Sequence, residues 1–134
     1  MKMQLIIAPA YASVLALIFV FLSIRTLRVR RKAQVAVGDG GNIQLLRAMR
    51  AHANFAEYTP FALLLIAFME LDGLSHGLVH AHCLALLVGR CAHAFGVSQI
   101  KEDFRFRIVG MTLTITTILS SSVFLIFQTV RGMT

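Results

Sequence analysis

From Leu5 to Ile24 the chain runs through an almost unbroken apolar stretch without a single charged residue. About 20 such residues are what a helix needs to cross the hydrocarbon of a bilayer. Few features restrict a fold more, because inside lipid every backbone N–H and C=O must find its partner within the protein, which leaves helices or closed barrels. A secretory signal is the rival reading. Here, however, Arg25, Arg28, Arg30, Arg31 and Lys32 follow the run instead of preceding it, and no small-residue cleavage site comes after, so the segment reads as a retained anchor. Composition agrees: 57% of the 134 residues are hydrophobic by type and only 14% are charged, against about 25% charged in an ordinary soluble domain. A chain this short buries only a modest share of its own surface, so lipid has to cover the excess.

Three further segments continue the pattern. Phe55 to Leu71 is apolar except for Glu57, Tyr58 and Glu70, with Asn54 at its edge, and it extends backwards as a polar helix to about Asn42. Leu74 to Val97 is interrupted by histidines and Arg90, whereas Ile108 to Val130 carries hydroxyls but no charge. No alternation of the barrel-strand kind is visible. Breakers fall between the segments: Gly38-Asp39-Gly40-Gly41-Asn42, then Asp72-Gly73 with Ser75, then Ser98 to Asp103, and Asn42 is placed to cap the second helix. The expectation is an all-α integral membrane protein, a single domain over residues 1–134. Its four transmembrane helices are predicted at approximately 5–31, 42–71, 74–97 and 104–131.

The formal net charge is +7, with 13 lysines and arginines against 6 acids, so nucleic acid has to be considered. Position argues against it. Arg25 to Lys32 and the group Lys101, Arg105 and Arg107 fall on one side of the membrane in a four-helix count, while the second turn offers Glu70 and Asp72. By the positive-inside rule both basic loops are cytoplasmic and both termini lie outside. Contact with anionic headgroups accounts for the rest of the excess, and no nucleic-acid partner is expected.

The second helix is too polar for its neighbours. At about 100° per residue, Arg47, Arg50, Asn54, Glu57, Tyr58 and Phe61 share roughly a third of its circumference. A structural network of paired charges is one explanation, since ionisable groups near hydrocarbon pair with one another. The other is a polar pocket for a small anionic or zwitterionic ligand: arginines clamp carboxylates, a glutamate holds an ammonium and an asparagine reads an amide. His52 falls roughly on the opposite side of this helix. Arg90 and His93 lie one turn apart near the cytoplasmic end of the third helix, where snorkelling is the plainer reading of an arginine, and Arg107 opens the fourth helix at the same level. Cys83 and Cys91, eight residues apart, stand about 12 Å apart along a helix axis and cannot bridge; they are expected as buried thiols. Asp72, His76, His80 and Cys83 share a stripe resembling metal-ligand arithmetic, but are expected to be polar residues of the bundle and not a metal site. The threonines and serines between Thr112 and Ser122 suit helix packing.

The run Arg50-Ala51-His52-Ala53-Asn54-Phe55-Ala56-Glu57-Tyr58-Thr59-Pro60 resembles the signature of the membrane-associated proteins in eicosanoid and glutathione metabolism (MAPEG), close to R-A-x-x-N-x-x-E-x-x-P. The resemblance extends through Gly89 to Gly96 and Arg107 to Leu113 and covers essentially the whole chain. It is to a bacterial-type member similar to microsomal glutathione transferase and prostaglandin E synthase. The resemblance implies homotrimers with glutathione, a co-substrate, bound between subunits near the cytoplasmic face of a bacterial inner membrane. It also implies a lipophilic substrate arriving from the bilayer. Residue by residue, Arg28, Arg31, Arg50, His52, Asn54, Glu57, Tyr58, Arg90 and His93 match glutathione-binding positions, and Arg107 resembles the catalytic arginine beside the sulfur. Arg105 is the alternative for that last role. Two departures stand out: Val97 occupies a position where several relatives have tyrosine, and His93 replaces tyrosine of some relatives. The implied function is a glutathione-dependent transferase or peroxidase, with a non-catalytic lipid- or glutathione-binding protein as the alternative.

Overall fold

The computed structural model describes residues 4–133. They form four helices: α1 (Ile7–Ala33), α2 (Ile43–Leu71), α3 (His76–Ser98) and α4 (Phe104–Met133). The breaker clusters do the connecting work anticipated for them. Gln34 ends α1 in the left-handed conformation, and the first loop turns on Gly38, Gly40 and Gly41, all at positive φ. Arg30 folds this loop back by donating to the carbonyl of Gly38 at 2.8 Å. Asn42 caps α2, its side chain accepting from the Leu45 amide at 3.0 Å. Asp103 opens α4 by accepting from the Arg105 amide at 3.0 Å.

α2 packs against α1, α3 and α4, and α3 also touches α1; among the described residues α1 and α4 do not meet. The core where they converge is apolar, with Leu15, Phe55, Ile66, Val79 and Leu86 buried. Leu17 and Phe21 on α1, and Leu119, Val123 and Ile126 on α4, are exposed instead. Apolar faces this extensive mark contact with lipid or another protein. α1, α3 and α4 are long and apolar enough to cross a membrane. α2 is comparable in length but does not join that set, and the reason is the polar and charged residues of its first half, among them Arg47, Arg50, Asn54 and Glu57.

Two contacts fix the ends of the bundle. At one end the Glu70 carboxylate receives the first amides of α1: Ile6 and Ile7 donate to Oε1 at 2.9 and 2.7 Å, and Ala8 to Oε2 at 2.8 Å. A helix start leaves such N–H groups without intrahelical partners, so a residue from the far end of α2 acts as the cap. Toward the other end α3 and α4 cross backbone to backbone. A Cβ placed on Gly110 would meet the Gly89 carbonyl oxygen and the His93 nitrogen at 2.6 Å, so only glycine permits the approach.

Candidate functional site

The loop arginines divide by role. Arg25 donates to the Ser98 hydroxyl at 2.6 Å and ties α1 to the end of α3. Arg28 and Arg31 are exposed on α1 and form no side-chain hydrogen bond or ion pair among the described residues.

At the end of the bundle carrying loops 34–42 and 99–103, an open cavity of about 270 Å³ forms between α2, α3 and α4. Its polar wall is Arg47, Arg50 and Asn54 from α2, His93 from α3, Glu102 from the connecting loop and Arg107 from α4; Ile43, Leu46 and Val97 supply the apolar part. The sequence stripe explains the α2 contribution: Arg47, Arg50 and Asn54 recur at helical spacing and present one face. The Gly89–Gly110 crossing explains the opposite wall, because it holds the backbone of His93 against α4, one turn above Arg107.

Glu102 is central to the charge balance. Its Oε2 accepts from Arg47 Nη1 at 2.9 Å and its Oε1 from Arg107 Nη1 at 3.2 Å. Arg47 also donates to the Val97 carbonyl at 3.1 Å. Burial opposes ionisation of Glu102, but hydrogen bonds and charge from Arg47 and Arg107 outweigh it and hold the carboxyl below the usual carboxylate range. Arg50, at the same wall, forms no hydrogen bond or ion pair among the described residues. Three arginines against one carboxylate make the cavity cationic.

Arg90 stands behind this wall. It is 1% exposed, donates to the Asn54 side-chain oxygen at 2.9 Å and to the Asn54 carbonyl at 3.2 Å, and lies 5.5 Å from the centre of the Tyr58 ring. Its bonds commit Asn54 Oδ1 inward and leave the amide nitrogen as the group Asn54 can offer a ligand. Glu57 is exposed on α2 and, like Tyr58, lines no part of the cavity. His52 turns to α1: its ring stacks on Phe19 with centroids 4.8 Å apart and its Nε2 lies 2.9 Å from Ser23 Oγ. Ser23 Oγ also donates to the Phe19 carbonyl at 2.9 Å, so His52 is engaged with α1 and turned away from the cavity.

Of the ten matched site residues, the cavity therefore gathers Arg50, Asn54, His93 and Arg107, with Arg90 one layer deeper. Arg28, Arg31, His52, Glu57 and Tyr58 lie outside it. Arg105 is exposed and lines no part of it. Glu102 was missed by sequence reasoning; an acid set between Lys101 and the pair Arg105 and Arg107 is the signal that could have found it. At the opposite end, His80 bonds Tyr11 at 3.2 Å and Cys83 is buried in the core, and among the described residues no three His, Cys, Asp or Glu side chains converge. Cys91, expected as buried, is exposed, because it faces outward from α3 while Arg90 takes the interior.

Spanning helices closed around a cationic cavity at one end define a multi-pass helical membrane protein with a polar site of its own. The chain belongs to the MAPEG family, whose model matches residues 8–127. It is 38% identical over 108 residues to the inner membrane protein YecN of Escherichia coli K12, an overlap covering 81% of each chain. The protein of the same name from Escherichia coli O6:H1 matches equally well.

Proposed function

We propose that the chain is a glutathione-dependent transferase or peroxidase of a bacterial inner membrane, the compartment named for its relative. One observation carries the reading: Arg50, Asn54, His93 and Arg107, from three helices, share one cationic cavity. Glutathione offers two carboxylates and an ammonium to such a wall. A thiol of pKa about 8.5 is mostly protonated at neutral pH, and a neighbouring cation favours the thiolate. In this proposal Arg107 supplies that charge, the thiol proton passes to water, and the thiolate sulfur bonds to the electrophilic atom as the leaving group departs with the bonding electrons. Lipophilic electrophiles reach the site from the bilayer.

The cavity, at about 270 Å³, sits at the small end of ligand pockets, which run roughly 300–1,000 Å³. Outward-facing Arg28, Arg31 and Glu57 favour completion of the site by a neighbouring copy in a homotrimer. The basic loops favour placing this end at the cytoplasmic face and both termini outside. A second reading, a non-catalytic lipid- or glutathione-binding protein, is supported by Val97, which lines the cavity without offering a hydroxyl.

Purified protein in detergent decides between them. Glutathione is titrated while thiolate absorbance and conjugation of a hydrophobic electrophile are followed, beside Arg107→Ala. The proposal expects saturable thiolate formation that Arg107→Ala abolishes. Binding with neither thiolate nor turnover leaves the non-catalytic role, and no binding at millimolar glutathione overturns both glutathione readings. Cross-linking in the same detergent tests the trimer.

A further inference from the structure

Glu102 presents the cavity with a difficulty that the proposed function leaves open. Arg107 is needed as a cation facing the ligand, yet one of its nitrogens is already engaged by a carboxylate at 3.2 Å. The same carboxylate engages Arg47 at 2.9 Å. Its side chain is only 6% exposed, while that of Arg107 remains 46% exposed, so the acid is the sequestered partner and the arginine the accessible one. The bridge also spans the site mechanically, linking α2 to α4 through the loop that follows α3.

A carboxylate bound by two arginines is what an incoming ligand carboxylate would itself become. We infer that Glu102 is a specificity-determining latch, an internal anion that holds Arg47 and Arg107 in the ligand-free protein and must be exchanged for an anionic group of the ligand. This rests on the reading of the cavity as the glutathione site. While the latch is closed, the two arginines and Glu102 present a net charge of one, so a simple anion gains little by binding. A ligand carrying more than one anionic group can trade with the latch and still engage Arg50. Arg47 has a donor in reserve for the exchange, since its buried Nε has no partner among the described residues.

Binding of two probes, inorganic sulfate and glutathione, to full-length protein in detergent at low ionic strength tests the inference by calorimetry. Glu102→Gln keeps the shape but removes the charge, and both probes are expected to bind about tenfold tighter, an ordinary size for the loss of one competing interaction. Glu102→Asp keeps the charge but is one methylene too short to span both arginines, and should give an intermediate gain. Asp103→Asn removes the same charge one residue away; less than twofold tightening is expected, and a gain equal to that of Glu102→Gln would reduce the latch to long-range electrostatics and overturn it. Infrared difference spectra of wild-type protein with isotope-labelled glutamate need no variant to fold: at sulfate concentrations that calorimetry shows to saturate the site a glutamate carboxylate band must shift, and an unshifted spectrum there overturns the latch. Tighter sulfate binding by Glu102→Gln with no glutathione binding in either form overturns the proposed function alone. Glutathione binding that is equal in wild type and Glu102→Gln, with equal sulfate binding, overturns the latch alone.

Discussion

Replacing Glu70 by glutamine changes one atom and should cost the fold several kcal/mol. The carboxylate accepts from three amides at 2.7 to 2.9 Å, two on Oε1 and one on Oε2. Glutamine keeps one oxygen, so its best rotamer preserves the bonds from Ile6 and Ile7 and turns an NH2 toward the Ala8 N–H. Two donors then face each other in a buried place, and an orphaned buried donor costs roughly 1–3 kcal/mol. The remaining bonds lose their charge, and with it the attraction to the start of the α1 dipole, worth about 0.3–1 kcal/mol and up to about 2 where partly buried. The sum is about 1–4 kcal/mol, and up to about 5 if the dipole contribution takes its partly buried value. Glu70→Ala should cost more, since all three amides lose the acceptor. The assay is reversible unfolding in mixed micelles followed by circular dichroism, with hydrogen exchange of the Ile7 and Ala8 amides as the local readout. A loss under about 0.5 kcal/mol for glutamine, or an alanine variant no less stable than glutamine, would refute the reasoning, because both orderings follow only from counting acceptors.

Gly110→Ala puts a methyl 2.6 Å from the Gly89 oxygen and the His93 nitrogen; it should destabilise by about 1–3 kcal/mol as an overpacking change, measured by the same unfolding assay, and lower turnover by displacing His93 from Arg107. Arg90 reaches both oxygens of Asn54 from the one nitrogen Nη1; Arg90→Lys is shorter and loses the flat guanidinium beside Tyr58, and should raise the KM for glutathione about tenfold without altering the pH profile of turnover. The bond network of Glu102 also sets a pH dependence. Its folded pKa is lowered, so its stabilisation is fully present above the unfolded glutamate value of about 4.3 and is lost as pH falls through the folded value. Thermal unfolding of wild type and Glu102→Gln should therefore differ at pH 7 and converge in strong acid, and a constant gap across that range would sink the assignment.

What the sequence made legible is what depends on neighbours along the chain. Runs of apolar residues and clusters of glycine marked four helices and the turns between them, and helical periodicity gathered Arg47, Arg50 and Asn54 on one face. Periodicity identifies a face but not what lies opposite. His52 was placed on the far side of α2, yet only the tertiary structure shows that side meeting Ser23 and Phe19. Arg90 read as a ligand contact from its motif and instead grips Asn54 from behind, a role set by the depth of α3 in the bundle. Glu70 looked like a charge at a turn, because its partners lie 62 to 64 residues away. Glu102 escaped notice although Arg107 lies five residues on, because its second arginine, Arg47, comes from a helix 55 residues earlier.

The crossing of Gly89 over Gly110 also governs how the molecule can move. Side chains between helices act as springs that change rotamer when a bundle breathes, but here backbone rests on backbone and nothing compressible lies between. α3 and α4 are thereby coupled into one stiff plate from which His93 and Arg107 project. Whatever admits a ligand must come from the other walls, by a tilt of α2 or a swing of loop 99–103, and hydrogen exchange would find the opening motion there and the α3–α4 amides near the crossing quiet.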